Sequence, residues 1–83
     1  MELQKAKIIK ALSMEGIPKN LHMWMREVTY YRDDIITGES AVLFYDNNTK
    51  MTVISYVQNI REDENNLVLT TDKNSVYFIK KFS

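Results

Sequence analysis

Apolar residues in the middle of the chain recur at alternate positions. Over AVLFYDNNTKMTVISYVQ, residues 41–58, two runs rich in β-branched and aromatic side chains flank the polar turn Asp46-Asn47-Asn48-Thr49, which is the pattern of a β-hairpin. With Asn47 and Asn48 at the tip, where asparagine tolerates a left-handed backbone, Tyr45 faces Lys50, Phe44 faces Met51 and Val42 faces Val53. Val42, Phe44, Met51 and Val53 then share a wholly apolar face, expected to be core. Leu43, Tyr45, Thr52 and Lys50 share the other, mixed face. A lone hairpin is not stable in water, so the rest of the chain must supply further strands and a cover.

The pattern before the hairpin has a different period. Residues 2–15, ELQKAKIIKALSME, read as an amphipathic helix: at about 100° per residue, Met1, Ile8, Ile9 and Leu12 fall in one quadrant, and Lys7, Lys10 and Ser13 lie across from it. Lys5 falls inside the stripe, with its stem expected along the core and its amine in water. Gly16 suits a left-handed residue just past the helix, Ile17 a contact back to Leu12, and Pro18 a block to continuation. In residues 18–28, PKNLHMWMREV, Leu21, Trp24, Met25 and Val28 have helical spacing, whereas Leu21, Met23 and Met25 also alternate as a strand does. The absence of β-branched residues before Val28 favours a second short helix.

After Val28 the pattern is β throughout. VTYYRDDIIT is a strand with a bend or bulge at Asp33-Asp34, Thr37-Gly38-Glu39-Ser40 is a turn, and Val57 and Ile60 extend the hairpin's second strand. A charged loop, Arg61 to Asn66, leads to a second hairpin with its turn at Asp72-Lys73-Asn74-Ser75, pairing Leu69 with Phe78 and Val68 with Ile79. Both faces of that hairpin are partly apolar, which places it centrally in a sheet or in the wall of a small barrel. The expected architecture is therefore α+β: a single domain, 1–83, with a helical part over 2–27 packed on an antiparallel meander of four or five strands over 28–82. The alternative is a small SH3- or Sm-like β-barrel capped by an N-terminal helix, to which the order of elements is similar.

Composition narrows the function classes. Hydrophobic content of 45%, charged content of 27% and few glycines and prolines describe an ordinary globular chain folded throughout. No cysteine is present, which removes disulfides and thiolate metal sites. No segment has the ~18 uninterrupted apolar residues of a membrane span, and lysines at 5, 7 and 10 occupy the place of a signal peptide's apolar core. A cytoplasmic location without membrane contact is expected. Net charge is zero but unevenly spread: residues 1–26 carry +3, residues 27–72 carry −6, and Lys73, Lys80 and Lys81 restore the balance.

No constellation carries specific chemistry. His22 is the single histidine, which excludes a two-histidine metal site. Asp33 and Asp34 are adjacent, so in an extended strand they point to opposite faces. Glu62, Asp63 and Glu64 lack the alternating ligands and glycine of a calcium loop. Gly16 and Gly38 are too far apart for a phosphate loop. The chain is expected not to be an enzyme and to need no cofactor, with a small-molecule enzyme ranked third among the readings.

The preferred reading is a non-enzymatic interaction or regulatory module, an accessory factor of the kind found in phages and mobile elements. Tyr45 and Tyr56, with Leu43 and Ile54, form a tyrosine-bearing sheet face that the helix cannot also cover, expected to bind a protein partner or a second copy as a homodimer. The alternative is nucleic-acid binding by the basic N-terminal helices through Lys5, Lys7, Lys10, Lys19 and Arg26, in a winged-helix-like or OB/Sm-like manner. It is disfavoured because the following β region is acidic where phosphates approach.

Overall fold

The computed structural model describes residues 3–13, 15–16 and 27–82. These residues form one seven-stranded antiparallel sheet. The strands are β1 (Leu3–Leu12), β2 (Glu27–Tyr31), β3 (Ala41–Tyr45), β4 (Lys50–Ile54), β5 (Val57–Glu62), β6 (Asn66–Thr71) and β7 (Val76–Lys81), with a 3-10 turn at Arg32–Asp34. The spatial order is β4-β3-β2-β1-β7-β6-β5. Two meanders, β1 to β4 and β5 to β7, are thus joined at the sheet's centre by pairing between β1 and β7.

This order forces the sheet to curl. β4 and β5 stand at opposite ends of the sheet, yet only Ser55 and Tyr56 lie between them. In a flat sheet, six interstrand spacings of about 4.8 Å would hold them nearly 30 Å apart, whereas three Cα steps of 3.8 Å reach about 11 Å. The ends do meet: in the loop before β3, Gly38 N–H donates to Val57 O at 2.8 Å, and Val57 N–H donates to Glu39 O at 3.0 Å. Among the described residues, backbone bonding between the two ends is confined to that corner. β4 and β5 are not paired as strands, so the SH3/Sm-like barrel is not closed.

The concave face is the core. Ala6 and Ile8 of β1, Val28 and Tyr30 of β2, Ala41, Leu43 and Tyr45 of β3, Ile54, Val57, Leu67, Leu69 and Ile79 are all buried and form one cluster with Ile35. At about 25 cal/mol per Å² of apolar surface removed from water, this shared face is the main force holding the curl.

Several expectations are corrected. The α+β class fails, because among the described residues there is no α-helix, and seven strands replace the meander of four or five. The helix expected over 2–15 is β1, and the signal for it is Lys5-Ala6-Lys7-Ile8, a strict polar–apolar alternation with Ala6 and Ile8 inward. A β-bulge between Ile8 and Lys10 resets the alternation so that Ala11 also points inward. That bulge is what gave Ile8, Ile9 and Leu12 their helical look. Pairing on both sides, with β2 and β7, overrides the helix propensity of alanine and lysine. Most of the second helix expected over 18–28 lies outside the described residues, and its last residues, Glu27 and Val28, begin β2. Gly16 is left-handed as expected, at φ 78°, but in a turn where its N–H donates to Ser13 O.

The central hairpin has the expected register, with Tyr45 opposite Lys50, Phe44 opposite Met51 and Val42 opposite Val53. Its faces are inverted. Leu43, Tyr45 and Ile54 are core, whereas Met51 and Val53 are 60% and 59% exposed. Its second strand also ends earlier than expected, at Ile54, and Val57 to Glu62 form a separate strand across the corner. In the second hairpin the register differs by one: Leu69 faces Tyr77 and Val68 faces Phe78. Asn74, at φ 59°, closes a turn by donating to Thr71 O, and Thr71 and Ser75 become the first bonded pair. The loop therefore has three residues rather than four, a known hairpin form with a left-handed third residue.

Candidate interaction surfaces

The residues singled out in the sequence part company in the structure. Leu43, Tyr45 and Ile54 belong to the core and present no surface, and of that group Tyr56 alone is exposed, at the corner between β4 and β5. Lys5, Lys7 and Lys10 lie on β1, and since Ala6 and Ile8 point inward, Lys5 and Lys7 project from the convex face. Lys10 does so too, because its Nζ stands 5.8 Å above the ring of Phe78 on β7. The remaining two members of the basic set, Lys19 and Arg26, and also His22, lie outside the described residues.

On the convex face of β2, β3 and β4 the alternation leaves Tyr31, Val42, Phe44, Met51 and Val53 outward. Tyr31 and Phe44 meet edge to face at 6.4 Å. The 3-10 turn after β2 brings Ile36, 48% exposed, to the same side. Tyr31, Ile36, Val42, Phe44 and Met51 line a shallow groove of about 590 Å³ whose polar rim is Asp34, Glu39 and Ser40. Next to it runs the free side of β4, where alternate residues offer backbone N–H and C=O groups beside the apolar side chains of Met51 and Val53.

A second depression, of about 620 Å³, lies under the β3–β4 turn between Leu3, Lys5, Glu27, Phe44 and Asn47. Three successive left-handed residues, Asp46, Asn47 and Asn48 at φ 50°, 57° and 65°, fold this turn back over the sheet. There Thr29 Oγ1 donates to Asn48 Oδ1, which accounts for the burial of Thr29 on an otherwise outer face.

A polar cluster spans the curl from β5 to β7 and to the turn after β2. Glu62, at the end of β5, accepts from Arg32 Nε at 3.0 Å and from Lys81 Nζ at 2.7 Å. Arg32 also donates to Ile35 O at 3.0 Å, and Lys81 to Asp63 O at 2.8 Å. The hydrogen bond from Lys81, then that from Arg32 and the charges of both, hold the Glu62 carboxyl below its ordinary range against the opposing effect of burial. Asp63 is held low in turn by the backbone N–H groups of Asn65 and Asn66, which it caps. Beneath the cluster, burial pushes the Tyr30 phenol up to about 12, with the Glu62 charge adding to the effect and Arg32 opposing it. A phenol so hard to ionise is no base at neutral pH, and a doubly paired carboxylate is a poor proton acceptor. The cluster's geometry suits a clamp between β2, β5 and β7.

Among the described residues no group of three or more His, Cys, Asp or Glu side chains is placed to hold a metal ion, and no helix is long and apolar enough to cross a membrane. Sequence reasoning found the lysines of β1 but missed that Phe78, Lys80 and Arg61 share their face. The signal was present in the alternation of Val76-Tyr77-Phe78-Ile79-Lys80, but it could be used only with the correct hairpin register. Compared with known proteins, the chain matches no family, no curated protein and no solved structure.

Proposed function

We propose that this protein is a non-enzymatic interaction module that associates through the convex face and free edge of its β3–β4 hairpin, with a second copy of the chain as the simplest occupant. One observation supports the reading above all: three of the most exposed large apolar side chains, Ile36, Met51 and Val53, gather beside an edge strand that carries no charge between Lys50 and Tyr56. Exposed apolar patches beside an unprotected edge mark sites of strand addition. β4 is also self-complementary. In an antiparallel pair centred on Thr52, Met51 of one copy lies opposite Val53 of the other, apolar against apolar on the same face, and the two-fold symmetry closes the assembly at two chains.

Sedimentation velocity at micromolar concentration tests this. The wild type is expected to sediment as a dimer and Val53→Lys as a monomer, with an unchanged far-ultraviolet circular dichroism spectrum. A wild type that stays monomeric, or a Val53→Lys variant that unfolds, removes the support for this reading.

A further inference from the structure

The other half of the convex face has the opposite chemistry. Across β1, β7, β6 and β5 the register aligns Lys10, Phe78, Val68 and Arg61 in one row. The adjacent row sets Lys7 opposite Lys80 and Lys80 opposite Asn66. Neighbouring strands stand about 4.8 Å apart and alternate residues on a strand about 6.7 Å apart, so Lys7, Lys10, Lys80 and Arg61 surround Phe78 at the centre of the face. Two acids border them: Glu27 on β2, opposite Lys7, and Asp63, whose carboxylate accepts from Asn66. Among the described residues, Arg32, Lys50 and Lys81 are held in ion pairs, whereas these four cations are in none.

We propose that this face binds single-stranded nucleic acid, with Lys7, Lys10, Lys80 and Arg61 meeting the phosphates and a base stacking on Phe78. Four unpaired cations on one side of a chain with zero net charge form an electrostatic footprint that the sequence totals conceal. The ring at their centre distinguishes this surface from a plain counter-ion patch. Lys10 already lies over that ring by a cation–π contact, and a bound strand draws its ammonium off to a phosphate while a base takes its place. A convex sheet face with a central aromatic suits unstacked bases, whereas a duplex hides the faces of its bases within the stack. Asn66, Asn59 and Thr70, outward on the neighbouring strands, supply donors and acceptors for base edges. None of these residues belongs to the β3–β4 association face, so this inference stands or falls independently of the proposed dimer.

The test is fluorescence anisotropy with a labelled twelve-nucleotide oligo(dT), the matching oligo(rU), a twelve-base-pair duplex and inorganic polyphosphate, at salt from 50 to 300 mM. Micromolar binding to the single strands is expected, with a log–log salt slope of about −3 for four phosphates neutralised. Phe78→Ala should weaken it by roughly tenfold or more, as loss of base–aromatic stacking does, and Phe78→Tyr should retain it. Lys7→Glu combined with Lys80→Glu should abolish binding, and Lys50→Glu, on the other half of the sheet, should leave it unchanged. Circular dichroism identifies variants that fail to fold; if Phe78→Ala is one, the comparison of Phe78→Tyr with Phe78→Leu carries the stacking test. No binding at 50 mM salt, equal affinity for duplex or polyphosphate, or indifference to the loss of the Phe78 ring would each overturn the proposal.

Discussion

The β3–β4 and β6–β7 hairpins bury equivalent inner faces, Leu43, Tyr45 and Ile54 in one and Leu67, Leu69 and Ile79 in the other, but they turn different chemistry outward. Val42, Phe44, Met51 and Val53 cover the outside of the first, and Val68, Phe78 and Lys80 the outside of the second. Their places in the sheet differ correspondingly. β6–β7 is flanked on both sides, by β5 and β1, while β3–β4 ends the sheet. At the opposite end, β5 carries Gln58, Asn59, Arg61 and Glu62, polar residues of the kind that keep an edge from pairing with another chain. β4 has no such protection beyond Lys50. The contrast teaches that burial within the chain accounts for the inner faces of both hairpins equally, so the apolar outer face of β3–β4 needs a different cause, and association supplies one.

The largest expected effect tests the inner faces. Leu43→Ala and Leu69→Ala should each cost about 2–5 kcal/mol, because both leave cavities in the shared core. Phe44→Ala and Phe78→Ala, on the half-buried outer face of each hairpin, should cost about 1 kcal/mol. Urea denaturation of the four variants, at concentrations low enough to hold each as a monomer, measures the difference. A Phe44→Ala variant less stable than Leu43→Ala would mean that the faces of the first hairpin are the reverse of those described here.

The turns provide a smaller contrast. The β3–β4 loop uses three left-handed residues in succession, whereas the β6–β7 loop uses Asn74 alone, at φ 59°. A β-branched residue in that conformation is strained by about 1–2 kcal/mol, and asparagine by less. Asn74→Val should therefore destabilise by about 1 kcal/mol, Asn74→Gly should be neutral or slightly stabilising, and Lys73→Val should have little effect. Equal losses at 73 and 74 would show that the left-handed residue does not fix the register of this hairpin.

How far the sequence could be read follows from the same two hairpins. Turn chemistry around Asn47 and Asn48 was enough to set the first register, because an even loop of four residues leaves one pairing. It did not say which face is inner. Val42, Phe44, Met51 and Val53 are the more apolar set, and choosing the more apolar set fails where the outer face is itself apolar. Asn74 made the second loop odd, which moved every pairing by one and hid the row through Lys10, Phe78 and Arg61. At β1 a single bulge mimicked helical spacing. The curl of the sheet depends on pairing between β1 and β7, about 70 residues apart, and no local pattern contains it.

The smallest expected effect separates the two hairpins by their ion pairs. Lys50 and Asp46 pair at 3.5 Å within their own turn, exposed to solvent. Glu62 instead ties Lys81, at the end of the second hairpin, to Arg32 beyond β2. The local pair holds nothing together that the turn does not already hold, so Lys50→Gln, which removes it, should leave stability unchanged. Glu62→Gln removes a contact across the open side of the curl and should cost up to about 1 kcal/mol at pH 7, the upper range for solvent-accessible pairs. The pH dependence has a definite sign. Because the Glu62 carboxyl is held below its ordinary range in the folded chain, its contribution is complete above the unfolded carboxyl value of about 4.3 and is lost as the pH falls through the lower folded value. Between pH 7 and pH 5 the wild type should exceed Glu62→Gln by a constant amount, and below about pH 4 the two should converge. A gap between wild type and Glu62→Gln that persists to pH 2 would mean that packing of the Glu62 side chain, rather than its charge, links the second hairpin to β2.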